Sequence, residues 1–161
     1  MAWPGELLSL FIRGMRSPED QVQPAGVDLS VSEVYRAGGP GEITLDGKRI
    51  PGYVELEPGG GAWRLGPGYY VVRFAEAVEV PLNAVGICLP RSSLLRMGAA
   101  LHCALWDPGY KGRGYALLTV YNEHGIVVER GARIAQMIYV GLSAGPRRGY
   151  EGAYQGEGLW R

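Results

Sequence analysis

The run PRSSLLRMG, residues 90–98, groups hydroxyl and guanidinium side chains at the start of a predicted short helix. The side chains concerned are those of Arg91, Ser92, Ser93 and Arg96. Hydroxyls, guanidinium groups and free backbone N–H donors together bind phosphate well. A serine near a helix start also acts as an ordinary N-cap. The run therefore predicts either a phosphate site or a capped helix.

Three further polar groups stand in apolar, strand-like surroundings. Asp28 lies in GVDLS, Asp107 and Tyr110 lie in WDPGYKG, and Gln136 lies in GARIAQMIY. Each also has a structural explanation, because aspartate favours turns and caps, tyrosine packs in cores, and a buried glutamine can be a hydrogen-bonded core amide. Taken together and in this order, the groups favour a functional site.

Several common catalytic signatures are absent from the sequence. It has no GxxxxGK[ST] phosphate loop, no zinc-deaminase pattern, and neither GxSxG nor HExxH. Cys88 and Cys103 form neither a CxxC pair nor a metal-ligand pattern. His102 and His124 stand alone and by themselves indicate no role. Any chemistry must come from scattered polar residues.

Composition narrows the class of protein. A chain of 161 residues can bury enough surface as one domain to fold without a metal or disulfide. The 16 basic residues balance 16 acidic ones, unlike the composition of a general nucleic-acid binder. No apolar run reaches membrane-spanning length, and the N-terminal apolar stretch is too short for a signal peptide. We expect a cytoplasmic protein that binds neither nucleic acid nor membranes.

The segment pattern predicts a mainly β barrel or sandwich with one or two short helices. The chain has 26 Gly and 11 Pro, which separate short segments rich in Val, Ile, Leu and Tyr. AGVDLSVSEVYR predicts a strand, and Asp46-Gly47 predicts the turn of a hairpin in ITLDGKRI. GELLSLFIRGM predicts a helix with Leu7, Leu8, Phe11 and Ile12 on one face.

The ordered runs PRSSLLRMG, WDPGYKG, YALLTVYN and GARIAQMIYV resemble the superfamily of trimeric dUTPases and dCTP deaminases, and AGVDL matches its first motif. The resemblance covers residues 26–157 and is closest to archaeal-type dUTPases. It implies a distorted jelly-roll-like β barrel, with residues 1–161 as one domain and residues 143–161 as a Gly-rich tail that closes over the site. It further implies a homotrimer with active sites between subunits.

The resemblance also implies residue roles in splitting dUTP into dUMP and pyrophosphate. Asp107 would deprotonate the water that attacks the α-phosphorus, with Mg²⁺ spreading the developing charge. Asp28 would contact the metal end through water, with Arg91 in support, and Tyr110 would exclude a 2′-hydroxyl. The implied substrate-binding residues are Ser92, Ser93, Arg96, His102, Cys103, Ala104, Tyr110, Gln136, Tyr150, Tyr154 and Gln155.

Departures from the resemblance separate its two branches. Deaminases of the superfamily carry a glutamate in the strand after the DPG turn. Counting back from YN places Thr119 at that position in this sequence. No Glu lies between Asp107 and Asn122. A hydroxyl cannot replace a carboxylate base near neutral pH. In the deaminase-like tail, Ala153 stands where the resemblance implies a phosphate-binding Lys, and Glu157 stands where it implies a Gln. Arg147 and Arg148 could restore the positive charge lost with that Lys.

Three hypotheses follow. A dUTP diphosphatase is the leading one. The alternatives are a dCTP deaminase or bifunctional enzyme with a relocated base, and a non-catalytic nucleotide-sensing trimer. Retention of Asp107 together with Tyr110, Ser92 and Gln136 argues against the last, because a protein that only binds has no need of the base.

Overall fold

Short apolar segments between turn residues form strands throughout residues 1–159, the part of the chain that the computed structural model describes. The helices are α1 (Gly5–Ser9), α2 (Pro18–Gln21) and α3 (Ser92–Arg96). The first eight strands are β1 (Ile12–Arg13), β2 (Val22–Gln23), β3 (Gly26–Ala37), β4 (Glu42–Thr44), β5 (Gly47–Arg49), β6 (Tyr53–Glu55), β7 (Ala62–Leu65) and β8 (Gly68–Phe74). The others are β9 (Ala77–Glu79), β10 (Ala84–Pro90), β11 (Ala99–His102), β12 (Lys111–Gly112), β13 (Tyr115–Val120), β14 (Ile126–Glu129) and β15 (Arg133–Gly141).

The main sheet runs in the order β10-β15-β3-β8-β13-β11, with β2 and β6 also paired to β3. Its two outer strands, β10 and β11, pack near each other and are connected through α3. The sheet therefore curves into a nearly closed barrel, which protects its edges from pairing with other chains. The predicted mainly β, barrel-like fold is confirmed.

Strand β3 crosses between two neighbours. Its first half pairs with β15 and its second half with β8, with a register shift between Val31 and Glu33. The alternating apolar residues Val27, Leu29 and Val31 are fully buried, as predicted. Asp28 is buried as well, because both faces of this half of the strand are covered. This is the segment that holds a carboxylate inside the protein.

Two local predictions differ from the structure. The first helix ends at Ser9; Leu7 is 42% exposed and Ile12 lies in β1 rather than on the helix. The helix begins after Pro4 at its N-cap and ends early because the chain continues into β1, where Ile12 pairs with Val78 of β9. The β4–β5 hairpin forms, but Thr44 pairs with Gly47, which places its two-residue turn one position earlier than predicted.

Within residues 1–159, no helix has the length and apolar character needed to cross a membrane.

Candidate active site

The sequence DPGY forms a tight turn that presents Asp107. The Tyr110 N–H donates to the Asp107 carbonyl at 3.1 Å, and Gly109 has φ +85°. Proline at the second position and glycine at the third suit a type II turn, since only glycine takes this φ without strain. The Asp107 side chain is exposed and makes no hydrogen bond within residues 1–159. Its carboxylate is therefore free for chemistry rather than used as a cap.

Backbone pairing holds this turn against the barrel. Trp106 and Gly86 of β10 exchange hydrogen bonds of 2.9 and 3.0 Å, and Val80 exchanges two bonds of 2.8 Å with Gly109 and Tyr110. Trp106 and Tyr110 pack edge to face, with ring centroids 5.1 Å apart. The position of the Asp107 backbone is fixed on both sides by these contacts.

Beside the turn lies a cleft that we call the hairpin pocket. Its volume is about 370 Å³, within the range of small-molecule sites. It is lined by Ile50, Tyr53, Ala104, Leu105, Trp106, Asp107, Tyr110, Gly114, Tyr115, Tyr150, Tyr154 and Glu157. Within residues 1–159 the lining contains two carboxylates and no Lys or Arg, so it suits an uncharged aromatic group such as a nucleobase with its sugar.

The C-terminal tail forms one wall of this pocket. The Gln155 amide donates to the Gly109 carbonyl at 2.8 Å and accepts from the Lys111 N–H at 2.9 Å. Tyr150 packs edge-on against Tyr110, with ring centroids 5.7 Å apart. The predicted tail residues Tyr150, Tyr154 and Gln155 thus lie at or beside the pocket; Trp160 and Arg161 of the predicted tail lie outside the described residues.

Tyr110 is 6% exposed and sits at the contact between pocket and tail. Its hydroxyl donates to Glu157 Oε1 at 2.8 Å. Burial raises the pKa of Tyr110, and the charge and hydrogen bond of Glu157 raise it further. Burial also raises the pKa of Glu157, against the lowering effects of the Tyr110 hydrogen bond and the Arg73 charge.

Two predicted residues, Asp28 and Arg91, meet Arg133, which the sequence did not single out, in what we call the arginine cluster. Asp28 Oδ2 lies 3.1 Å from Arg91 Nε and 3.4 Å from Arg133 Nη1, with 2% of its side chain exposed. Burial raises the pKa of Asp28, and the charges of Arg91 and Arg133 lower it in part. The ion pairs stabilise a carboxylate that burial would otherwise destabilise.

Gln136 lies next to this cluster because β3 and β15 approach closely. Asp28 and Gln136 are paired in register, and a Cβ on Gly26 would lie 2.4 Å from the Met137 carbonyl. Gly26, in the AGVDL motif, is therefore required for this approach. The buried Gln21 amide donates to the Asp28 carbonyl at 3.0 Å and fixes the backbone of the same strand.

The predicted phosphate-binding side chains lie free near the arginine cluster. Ser92 and Ser93 begin α3, but Arg91 occupies the N-cap position and no side chain caps the helix. The alternative of Ser92 as the N-cap is therefore wrong. Within residues 1–159, the side chains of Ser92, Ser93, Arg96 and Gln136 make no hydrogen bond to protein groups.

Within one chain, the hairpin pocket lies apart from the arginine cluster and its neighbouring polar side chains. Gly86 pairs with Trp106, whereas Gln136 pairs with Leu89 and Ile134 accepts from the Arg91 N–H. The five steps along the chain from Gly86 to Arg91 span roughly 16 Å at strand spacing. None of Ser92, Ser93, Arg96, Gln136, Asp28 or Arg91 lines the hairpin pocket.

The described residues, 1–159, do not form a complete set of protein ligands for a metal. Within residues 1–159, no group of three or more His, Cys, Asp or Glu side chains could hold a metal ion. The Asp28 carboxylate is already engaged by two guanidinium groups. A magnesium ion here would have to take most of its ligands from a bound phosphate chain and water, as is usual for this metal.

Some residues of the pocket could not be found from the sequence, and His102 and Cys103, which were predicted beside Ala104, lie outside its lining. Ile50, between β5 and β6, and Tyr53, the first residue of β6, line the pocket with no local signal that indicates it. His102 and Cys103 do not line the pocket; Cys103 instead packs against the hydrophobic core. Ala104 does line it.

The position predicted for a deaminase glutamate also differs. Tyr115 is the residue of β13 that lines the pocket, and Thr119 lies four residues further along the strand, roughly 13 Å away. The count back from YN therefore did not reach the pocket. The conclusion that this strand lacks the deaminase glutamate still holds, since β13 has no glutamate.

Comparison with known proteins identifies the family of this chain. The signature of the family described as dCTP deaminase-like matches residues 9–142. The chain is 48% identical over 138 residues to the probable deoxyuridine 5'-triphosphate nucleotidohydrolase of Aeropyrum pernix, covering 86% of this chain and 87% of that protein. It is 40% identical over 142 residues to the protein of the same description from Methanosarcina mazei, covering 86% and 83%.

A solved structure supports the fold. The crystal structure of 2'-deoxycytidine 5'-triphosphate deaminase from Agrobacterium tumefaciens superposes with a TM-score of 0.65 at 23% identity, covering 86% of this chain and 46% of that one. This likeness supports the β-barrel fold. The chain belongs to the dCTP deaminase-like family.

Proposed function

We propose that this protein is a dUTP diphosphatase, which hydrolyses dUTP to dUMP and pyrophosphate. The observation that carries the proposal is the free Asp107 carboxylate at the edge of a pocket of nucleoside size. Relatives of up to 48% identity described as deoxyuridine triphosphate nucleotidohydrolases support it. Uracil and deoxyribose would occupy the hairpin pocket, with the α-phosphate beside Asp107.

In the proposed reaction, Asp107 accepts a proton from water as the water attacks the α-phosphorus. The bond from the α-phosphorus to the bridging oxygen breaks, and pyrophosphate leaves with the electron pair. The type II turn holds the carboxylate in place without using its oxygens, so catalysis depends on positioning and electrostatics. Tyr110, fixed between Trp106 and Tyr150, packs against the sugar and excludes a 2′-hydroxyl.

We propose that the complete site forms between copies of the chain in a homotrimer. The hairpin pocket lacks cations, whereas Arg96, Ser92 and Gln136 lie elsewhere with free polar groups. Exposed apolar side chains support an interface near α3: Leu95 and Met97 are exposed, and so is Tyr121, whose N–H donates to the Gly98 carbonyl at 2.9 Å. A second copy that brings the arginine-cluster face to the pocket would supply the missing positive charge.

Magnesium fits this arrangement as a companion of the triphosphate. When bound, it would offset the charge that develops on the phosphate oxygens. The predicted water-mediated contact of Asp28 with the metal end is kept as part of the proposal, and the engaged carboxylate of Asp28 argues against a direct bond. The cytoplasmic location likewise stays a prediction.

Deamination of dCTP is the second candidate, because one observation favours it. Glu157 places a second carboxylate in the pocket, so a relocated base is available although β13 lacks one. Against this, Glu157 already accepts the Tyr110 hydroxyl. The first candidate is therefore preferred.

A product assay tests these functions directly. Purified protein with Mg²⁺ is given dUTP or dCTP, and pyrophosphate and ammonia are measured. We expect pyrophosphate from dUTP and no ammonia from dCTP. Ammonia from dCTP that disappears in Glu157→Gln would establish the second candidate instead. Binding of dUTP without any product would indicate a nucleotide sensor.

A further inference from the structure

Glu157 connects the C-terminal tail to Tyr110, a buried aromatic side chain of the hairpin pocket. Its carboxylate accepts the Tyr110 hydroxyl at 2.8 Å, and within residues 1–159 it is the one hydrogen-bond partner of that hydroxyl. A buried tyrosine hydroxyl needs such a partner, because leaving it unpaired is costly. The bond therefore connects the order of the tail to the order of the Tyr110 ring.

The backbone on either side of Glu157 is fixed as well. The Arg113 N–H donates to the Glu157 carbonyl and the Gly156 N–H to the Lys111 carbonyl, both at 2.8 Å. The Arg113 guanidinium is itself anchored to the barrel, donating to the Phe74 carbonyl at 3.1 Å and to Ser32 Oγ at 2.7 Å. These bonds fix the backbone of Glu157 against the barrel and so position its carboxylate at Tyr110.

Glu157 is a partly buried carboxylic acid with two favourable neighbours. Burial raises its pKa, and the Tyr110 hydrogen bond and the Arg73 charge lower it only in part. Hydrogen bonds to an ionised acceptor are stronger than those to a neutral one. In its ionised form the Glu157 carboxylate, 2.8 Å from the Tyr110 hydroxyl, therefore holds Tyr110 more firmly than an amide at this position would.

We propose that Glu157 is a positioning residue that latches the tail onto Tyr110 and thereby fixes the ring that discriminates deoxyribose from ribose. The role in sugar discrimination rests on the proposed function. The latch itself is a property of the chain without nucleotide, so the two parts are tested separately.

The latch is tested by chymotrypsin cleavage after Tyr154 in the nucleotide-free protein, followed by mass spectrometry. We expect Glu157→Ala to speed cleavage about tenfold, the factor for loss of one charge-assisted hydrogen bond. Glu157→Gln keeps an acceptor and should stay within about threefold of the wild type. Glu151→Gln is the matched control, since Glu151 is exposed and makes no hydrogen bond within residues 1–159.

A double-mutant cycle assigns the effect to the Tyr110 bond. Tyr110→Phe should speed cleavage as Glu157→Ala does, and the double variant should be cleaved no faster than either single variant. Cleavage of Glu157→Ala at the wild-type rate, or additive effects in the double variant, would overturn the latch.

Sugar discrimination is measured as the ratio of kcat/KM for dUTP to that for UTP. We expect this ratio to fall about tenfold in Glu157→Ala and to be restored in large part in Glu157→Gln. An unchanged ratio alongside faster cleavage would overturn the link to discrimination while leaving the latch. If no variant, wild type included, hydrolyses dUTP, the proposed function fails and the cleavage experiment still decides the latch.

Discussion

The hairpin pocket and the arginine cluster are two parts of one chain with opposite chemistry. The pocket is concave, aromatic and acidic, with Asp107 and Glu157 and no cation among its described lining residues. The arginine cluster lies where β3 and β15 meet the start of α3, and it pairs two guanidinium groups with one buried carboxylate. In the proposed function, the nucleoside occupies the first and the phosphates lie at the second.

The two parts are also held in place by different contacts. Each half is rigid for its own reason: the pocket through the DPGY turn and its pairing with β10, the arginine cluster through the register of β3 and β15. Roughly 16 Å of strand separates them. In the proposed homotrimer, the two parts would meet around one substrate between two copies of the chain.

The largest effect is expected from removing the free carboxylate. Asp107→Asn keeps the turn, which asparagine tolerates, and removes the general base. We expect pyrophosphate release to fall by about 10³-fold, with dUTP binding by calorimetry nearly unchanged. Asp46→Asn, in the exposed β4–β5 turn, is the matched control and should remain active. Full activity of Asp107→Asn would refute the proposed mechanism.

Mixing two inactive variants tests whether the two halves meet between copies. Asp107→Asn damages only the pocket, and Gln136→Ala damages only the phosphate side. Unfolded together and refolded, equal amounts should regain roughly a quarter of wild-type activity, because random assembly of a shared site pairs intact halves at that frequency. No recovery, with oligomers confirmed by light scattering, would place each site within one chain.

The anchoring of the pocket is tested by Glu33→Gln. Glu33 accepts from the buried Arg73 and lies 3.3 Å from Arg113, which holds the tail. Burial raises the pKa of Glu33, but hydrogen bonds from Arg73 and Ser32 and the nearby charges outweigh it, so the net pKa is lowered. We expect Glu33→Gln to lower the free energy of unfolding at pH 7 by about 3 kcal/mol, since Arg73 loses its partner.

The sign of the pH dependence follows from the lowered pKa. Ionised Glu33 stabilises the fold above its ordinary pKa of 4.5, and this contribution is lost as the pH falls through the lowered value. The difference in unfolding free energy between wild type and Glu33→Gln should therefore shrink below about pH 4.5 in urea titrations. A constant difference down to pH 3 would show that the ion pair is not its source.

The smallest effect is expected from Thr119→Glu. This variant restores a glutamate at the position that the sequence count assigned to a deaminase base, but Tyr115 is the β13 residue at the pocket. We expect no ammonia from dCTP and dUTP hydrolysis within about twofold of the wild type. Leu117→Glu, on the same face of β13, is a matched control. A gain of deamination in Thr119→Glu alone would mean that the pocket extends along β13.

Sequence alone determined the features that depend on local chemistry. Alternating Val27, Leu29 and Val31 predicted β3, because one face of a strand must be apolar to be buried. Proline and glycine after Asp107 predicted the turn, since each restricts or permits particular backbone angles. The order of the polar motifs was sufficient for the family. Helix α1 was overestimated because an apolar periodicity does not show where the chain turns away.

The tertiary structure decided which of these residues meet. Ile50 and Tyr53 reach the pocket across the barrel, and Glu157 contacts Tyr110 over 47 positions of sequence. Thr119 is far from the pocket, although a count along the strand placed it there. Contacts of this kind depend on strand order, register and the path of the tail. These result from packing of the whole barrel, so no local pattern of residues records them.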